Sequence, residues 1–125
     1  MTEIMLRQRL YDAVAIGGAF ACLLHCLATP AAILLVPTAA TYLVLPERFH
    51  LWILLFALPT SAVALWIGYA RHRRCQPAVV TSVGLAMLAG AIVLAPSEAI
   101  ETAITVPGTL AMAIGHALNW RAMRA

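Results

Sequence analysis

The chain has 125 residues, of which 63% are apolar and only 10% charged; its eight Lys/Arg positions are all arginine, and the formal net charge is +3. Soluble domains carry roughly 25% charged residues, so this chain has too little polar side chain to coat a water-facing surface, and lipid is the solvent its composition calls for. The hydrophobicity excludes a disordered chain, three cysteines exclude a disulfide-stapled fold, the length excludes a multidomain enzyme, and arginines confined to the ends of apolar runs exclude a nucleic-acid module, which needs a basic face.

Four apolar stretches follow one another, 13–36, 49–70, 77–95 and 102–120, each close to the ~20 residues that a spanning helix requires. They predict an all-α fold, an integral membrane four-helix bundle forming one domain over 1–125. The first stretch follows Arg7 and Arg9. It reads as a retained span, because its apolar run exceeds the roughly 7 to 15 residues of a signal peptide and His25 interrupts it. The second stretch ends in Arg71, His72, Arg73, Arg74 and Cys75, the third in an acidic link with Glu98, and the fourth in Arg121 and Arg124. Seven of the eight arginines thus fall on one side, which the positive-inside rule makes cytoplasmic. Both termini are therefore expected inside a bacterial inner (cytoplasmic) membrane, with Glu47, Glu98 and Glu101 on the outer side. Trp66, Tyr69 and Trp120 fall near the inner boundary and Trp52 near the outer one, as interfacial anchors do.

The chemically distinctive segment lies in the first span, where Cys22, His25 and Cys26 occupy positions i, i+3 and i+4 of a helix and so share a face. Ionisable groups inside a span point to function. Thiolates select soft or borderline ions, and two of them neutralise a dication that hydrocarbon would otherwise exclude. Mercury is satisfied by two thiolates; zinc needs four ligands, for which His116 in the fourth span and His50 at the start of the second are the further candidates. The small residues Ala15, Gly18 and Ala19 on the thiol face, and Gly108, Ala111, Gly115 and Asn119 in the fourth span, predict that spans one and four pack on each other. Two other readings stay open: a haem protein with His25 and His116 as axial ligands, and a thiol redox protein exchanging Cys22 and Cys26. The leading reading is a non-enzymatic carrier or binder of a metal ion, mercury or zinc, without a fixed cofactor. Its expected partners are the lipid bilayer, the metal ion, a periplasmic or cytoplasmic metal-handling protein and a second copy of the chain, with no nucleic acid.

The segment from Gly17 to Pro30 with Cys22 and Cys26, the stretch from His50 and Trp52 through Gly68 and Tyr69 to Arg71 and Arg74, and the closing Gly115, His116, Ala117, Leu118, Asn119, Trp120, Arg121 together resemble the MerC family of small inner-membrane mercuric-ion transport proteins. The resemblance covers nearly the whole chain. It implies four spans, cytoplasmic ends and a cysteine pair in the first span that carries mercuric ion. Mercury-operon members have C-x-x-C there, whereas this chain has Cys22 and Cys26 with three residues between them. The second cysteine pair that those members carry near a longer cytoplasmic tail has no counterpart in these 125 residues.

Overall fold

The computed structural model describes residues 2–35 and 49–124, which form four helices: α1 Thr2–Leu35, α2 Phe49–His72, α3 Gln76–Leu94 and α4 Glu98–Ala122. α1, α2 and α3 each turn one narrow stripe inward at alternating spacings of three and four, while α4 buries a wider face that includes Thr105, Gly108, Thr109, Met112, Gly115, His116 and Asn119. The buried positions are 8, 12, 15, 19, 22 and 26 in α1, 54, 57, 61, 64 and 68 in α2, and 77, 81, 84, 88 and 91 in α3. Such a 3.5-residue repeat is the seam along which long helices lie side by side. The residues in it are mostly small or polar, which is how helices approach one another in lipid.

The large apolar side chains point the other way. Phe20, Leu24 and Leu27 of α1, Trp52, Leu55, Phe56 and Trp66 of α2, and Val79, Val83 and Val93 of α3 are exposed, while Gln8, Asp12, Ser61, Thr81, Thr105, Thr109, His116 and Asn119 are buried. A polar interior inside an apolar exterior is the inverse of a soluble protein and suits a bundle solvated by acyl chains. By length and composition α1 over Glu3–Ala28, α2 over Leu51–His72 and α3 over Gln76–Leu94 are able to cross a membrane. α4 is long enough at 25 residues, but its glutamates, threonines, His116 and Asn119 lower its hydropathy, and it is not one of those three. Most of these polar groups turn into the bundle, so the low hydropathy of α4 reflects what it buries.

Around the bundle α1 touches α2 and α4, α2 touches α3, and the α3–α4 pair is the most extensive; α2 also meets α4 across the centre, whereas among the described residues α1 and α3 do not meet. The α3–α4 pairing corrects one expectation. Gly108 and Gly115 do form an inward seam, but they face α3: a methyl group on Gly84 would come 2.6 Å from the Gly108 carbonyl oxygen, and one on Gly115 would come 2.8 Å from the Thr81 nitrogen. Gly18 of α1 has nothing within 4 Å of where its Cβ would stand. It is not the small residue on which α4 packs.

The first helix also differs from its expected extent. It starts at Thr2, well ahead of position 13, because Gln8 and Asp12, which look like the polar end of a span, are turned inward and paired there. Arg7, Arg9, Arg71, Arg73, Arg74, Arg121 and Arg124 are all exposed and lie at one end of the bundle, where α1 and α3 begin and α2 and α4 finish. Two of them lie over boundary aromatics, Arg73 at 5.8 Å from the Tyr69 ring centre and Arg124 at 5.5 Å from that of Trp120.

Candidate functional site

Cys22 and Cys26 project into the bundle with 0% and 4% of their surface exposed, and the two thiols are hydrogen-bonded to each other and not joined in a disulfide. The i, i+4 spacing on an unbroken helix produces this directly. His25 is rotated off the buried stripe and is half-buried. Glu101, in the first turn of α4, lies within electrostatic reach of Cys22. Among the described residues no group of three or more His, Cys, Asp or Glu is placed to hold a metal ion. The side chain of His50 lies outside the described residues.

His116 belongs to a different cluster. Its Nδ1 donates to Asp12 Oδ1 at 2.8 Å, and its Nε2 is 3.0 Å from Ser61 Oγ. Asn119, one turn on, donates through Nδ2 to both oxygens of Asp12 (3.1 and 3.2 Å) and to the Ala64 carbonyl (3.2 Å). Gln8 Nε2 adds a longer contact to Asp12 Oδ2 at 3.4 Å. Gly68 makes room for this arrangement, since any side chain there would overlap the Asn119 amide.

The last member is His72. The backbone N–H of Arg74 donates to its Nδ1 at 3.0 Å, so that nitrogen carries a lone pair and the proton sits on Nε2, which donates to Asn119 Oδ1 at 2.9 Å. The turn that brings the Arg74 amide back is made by Arg73, whose φ of 56° is left-handed.

This geometry corrects two expectations about His116. Asp12 and His25 are thirteen residues apart on one helix, about 20 Å along its axis at 1.5 Å per residue. His116 is held against Asp12, so it and His25 cannot grip opposite faces of one haem. By the same arithmetic Cys22 lies about 15 Å along α1 from Asp12, too far for His116 to complete a zinc site with the thiols. Both of its ring nitrogens are engaged besides.

The order hydroxyl, imidazole, carboxylate in Ser61, His116 and Asp12 is that of a hydrolytic triad. Ser61 has no exposed surface, however, and sits in mid-helix, where the surrounding amides are tied into the helix ladder and form no oxyanion pocket. What the cluster offers chemically is the capacity to hold and share a proton.

Residues 12–121 match the family model for the MerC mercury resistance protein. The chain belongs to the MerC family. The match starts at Asp12 and ends at Arg121, so it takes in both the thiol pair and the buried cluster. No curated protein and no solved structure matches the chain. As a MerC protein it is a multi-pass membrane protein of mercury resistance. Asp12 is the buried member of this cluster that reading the sequence missed. The signal was present: the stripe Ala15, Ala19, Cys22, Cys26, continued one turn toward the N-terminus, reaches Asp12 and then Gln8.

Proposed function

We propose that this MerC protein carries mercuric ion across the bacterial inner membrane by holding it between the thiolates of Cys22 and Cys26, with His25 beside them. The observation that supports this reading is the placement of two adjacent, buried thiols, outside any disulfide, on the inward stripe of a helix that exposes Phe20, Leu24 and Leu27 over the same stretch. Two thiolates make a bound dication formally neutral, which removes the charge penalty of the bilayer interior. They also match the softness of mercury. Zinc fits less well, because tetrahedral binding requires further ligands and His116 is committed elsewhere.

Glu101 near the outer end of the thiol face supplies a negative charge that draws a cation toward Cys22. The arginine end of the bundle is the cytoplasmic side by the positive-inside rule, so the membrane potential favours inward passage by about 2.3 kcal/mol per elementary charge per 100 mV. A thiol-bearing metal-handling protein on the cytoplasmic side is the natural acceptor, and the exposed Cys75, at the N-cap of α3 beside three arginines, stands where such an acceptor would meet the bundle.

The test is mercuric-ion binding by detergent-purified protein, read by metal content and by protection of the thiols from an alkylating reagent. Wild type should bind one ion, and Cys22→Ser and Cys26→Ser should each lose it, with His25→Ala losing much less. Retention of the ion in Cys22→Ser/Cys26→Ser would refute the site.

A further inference from the structure

Asp12 and His116, 1% and 0% exposed, are ionisable groups that ion binding does not use. An apolar layer of Ala19, Ala57 and Met112 separates them from the thiol pair. Toward the arginine end the surroundings change. His72 lines a cavity of about 330 Å³ together with Arg71, Arg74, Ala122 and Met123, and His72 is bonded to Asn119, which is bonded to Asp12. Two hydrogen bonds therefore connect the carboxylate to a space wide enough for water.

Charge decides what such a cluster holds. A carboxylate with no counter-charge is costly inside a membrane, whereas a carboxylate and an imidazole sharing one additional proton are net neutral. The groups facing His116 are Asp12 from α1, with Gln8 behind it, Ser61 from α2 and, through Asn119, His72; α3 has no ionisable residue in its 19 positions, and the arginines of this end are exposed.

The geometry points to Asp12 and His116 as an intramembrane proton-binding site, reached from the arginine end, whose occupancy sets how readily the bundle passes its ion. In proton uptake a hydronium ion on the His72 side gives up its proton and becomes water, His116 Nε2 ends protonated, the Ser61 hydroxyl turns from donor to acceptor, and Nδ1–H stays on Asp12. No other bond changes. The proton site stands on the geometry alone; its influence on ion passage rests on the carrier reading.

Two measurements test the two parts separately. The first needs no metal: the imidazole ¹⁵N signals of His116 are followed against pH in lipid nanodiscs. They should trace a one-proton curve in wild type, and the midpoint of that curve should be displaced in Asp12→Asn and in Ser61→Ala, which keeps both ionisable groups. A His116 that never titrates, or a midpoint unmoved by both substitutions, overturns the proton site.

The second is mercuric-ion uptake into proteoliposomes at fixed outer pH and varied inner pH, with Cys22→Ser/Cys26→Ser vesicles as the blank. Wild-type uptake should carry the same one-proton step on top of the dependence that thiol protonation imposes, and that step should be missing in Asp12→Asn and His116→Gln. Cysteine-dependent uptake with the same inner-pH profile in wild type, Asp12→Asn and His116→Gln overturns the influence on passage. Absence of any cysteine-dependent uptake, with His116 still titrating, refutes the carrier reading and the influence on passage and leaves the proton site standing.

Discussion

Gly84→Ala is the sharpest test of how the bundle is packed. The added methyl would stand 2.6 Å from the Gly108 carbonyl oxygen, 2.7 Å from the Met112 nitrogen and 3.2 Å from the Met112 Cα. All three are backbone atoms of α4, so no side chain can swing aside, and α3 and α4 must separate by roughly 0.7 Å to restore ordinary contact. Overpacking of this kind costs about 1 to 3 kcal/mol, and the upper end applies because the collision lies in the most extensive helix pair. The better helix propensity of alanine returns about 1 kcal/mol, leaving a net loss of about 2 kcal/mol. Gly90→Ala is the control. Nothing lies within 4 Å of a methyl there, so it keeps the propensity gain of about 1 kcal/mol. The two variants should differ by about 3 kcal/mol, or roughly a hundredfold in the unfolding equilibrium. Unfolding by SDS in mixed micelles, followed by helical circular dichroism, measures this directly. Equal stability of the two variants would refute the close α3–α4 approach.

His116→Ala removes the partner of a buried carboxylate and should destabilise the bundle by about 3 to 5 kcal/mol; adding Asp12→Asn should recover part of that loss, and strictly additive effects in a double-mutant cycle would show that the two groups do not interact. Mercuric-ion binding should release two protons per ion and weaken by about a hundredfold per pH unit on acidification while both thiols start protonated; calorimetry in buffers of different ionisation enthalpy counts the protons, and zero release would remove the thiolates from the site. A reporter active only in the periplasm should give signal when fused after Glu98 and none after Arg74, and the opposite pattern would invert the topology.

The composition and the placement of the arginines were enough to define an all-helical membrane protein and to mark one end of the bundle, because both follow from solvation of single residues. The thiol pair was legible for a similar reason. Its i, i+4 spacing is local, and a helix places Cys22 and Cys26 on one face whatever surrounds it. Which face met which helix was not legible. Stripes of small residues fit one another in many combinations, and only the joint packing decided that Gly108 and Gly115 press on Gly84 and Thr81 of α3 while Gly18 of α1 borders a cavity with room for a methyl group. The role of His116 was hidden by distance along the chain: its partners Asp12 and Ser61 lie 104 and 55 residues away. In lipid a buried carboxylate takes whichever donors the tertiary structure delivers. Here those donors were His116 and Asn119, so a histidine expected to be a metal ligand is held as the partner of an aspartate.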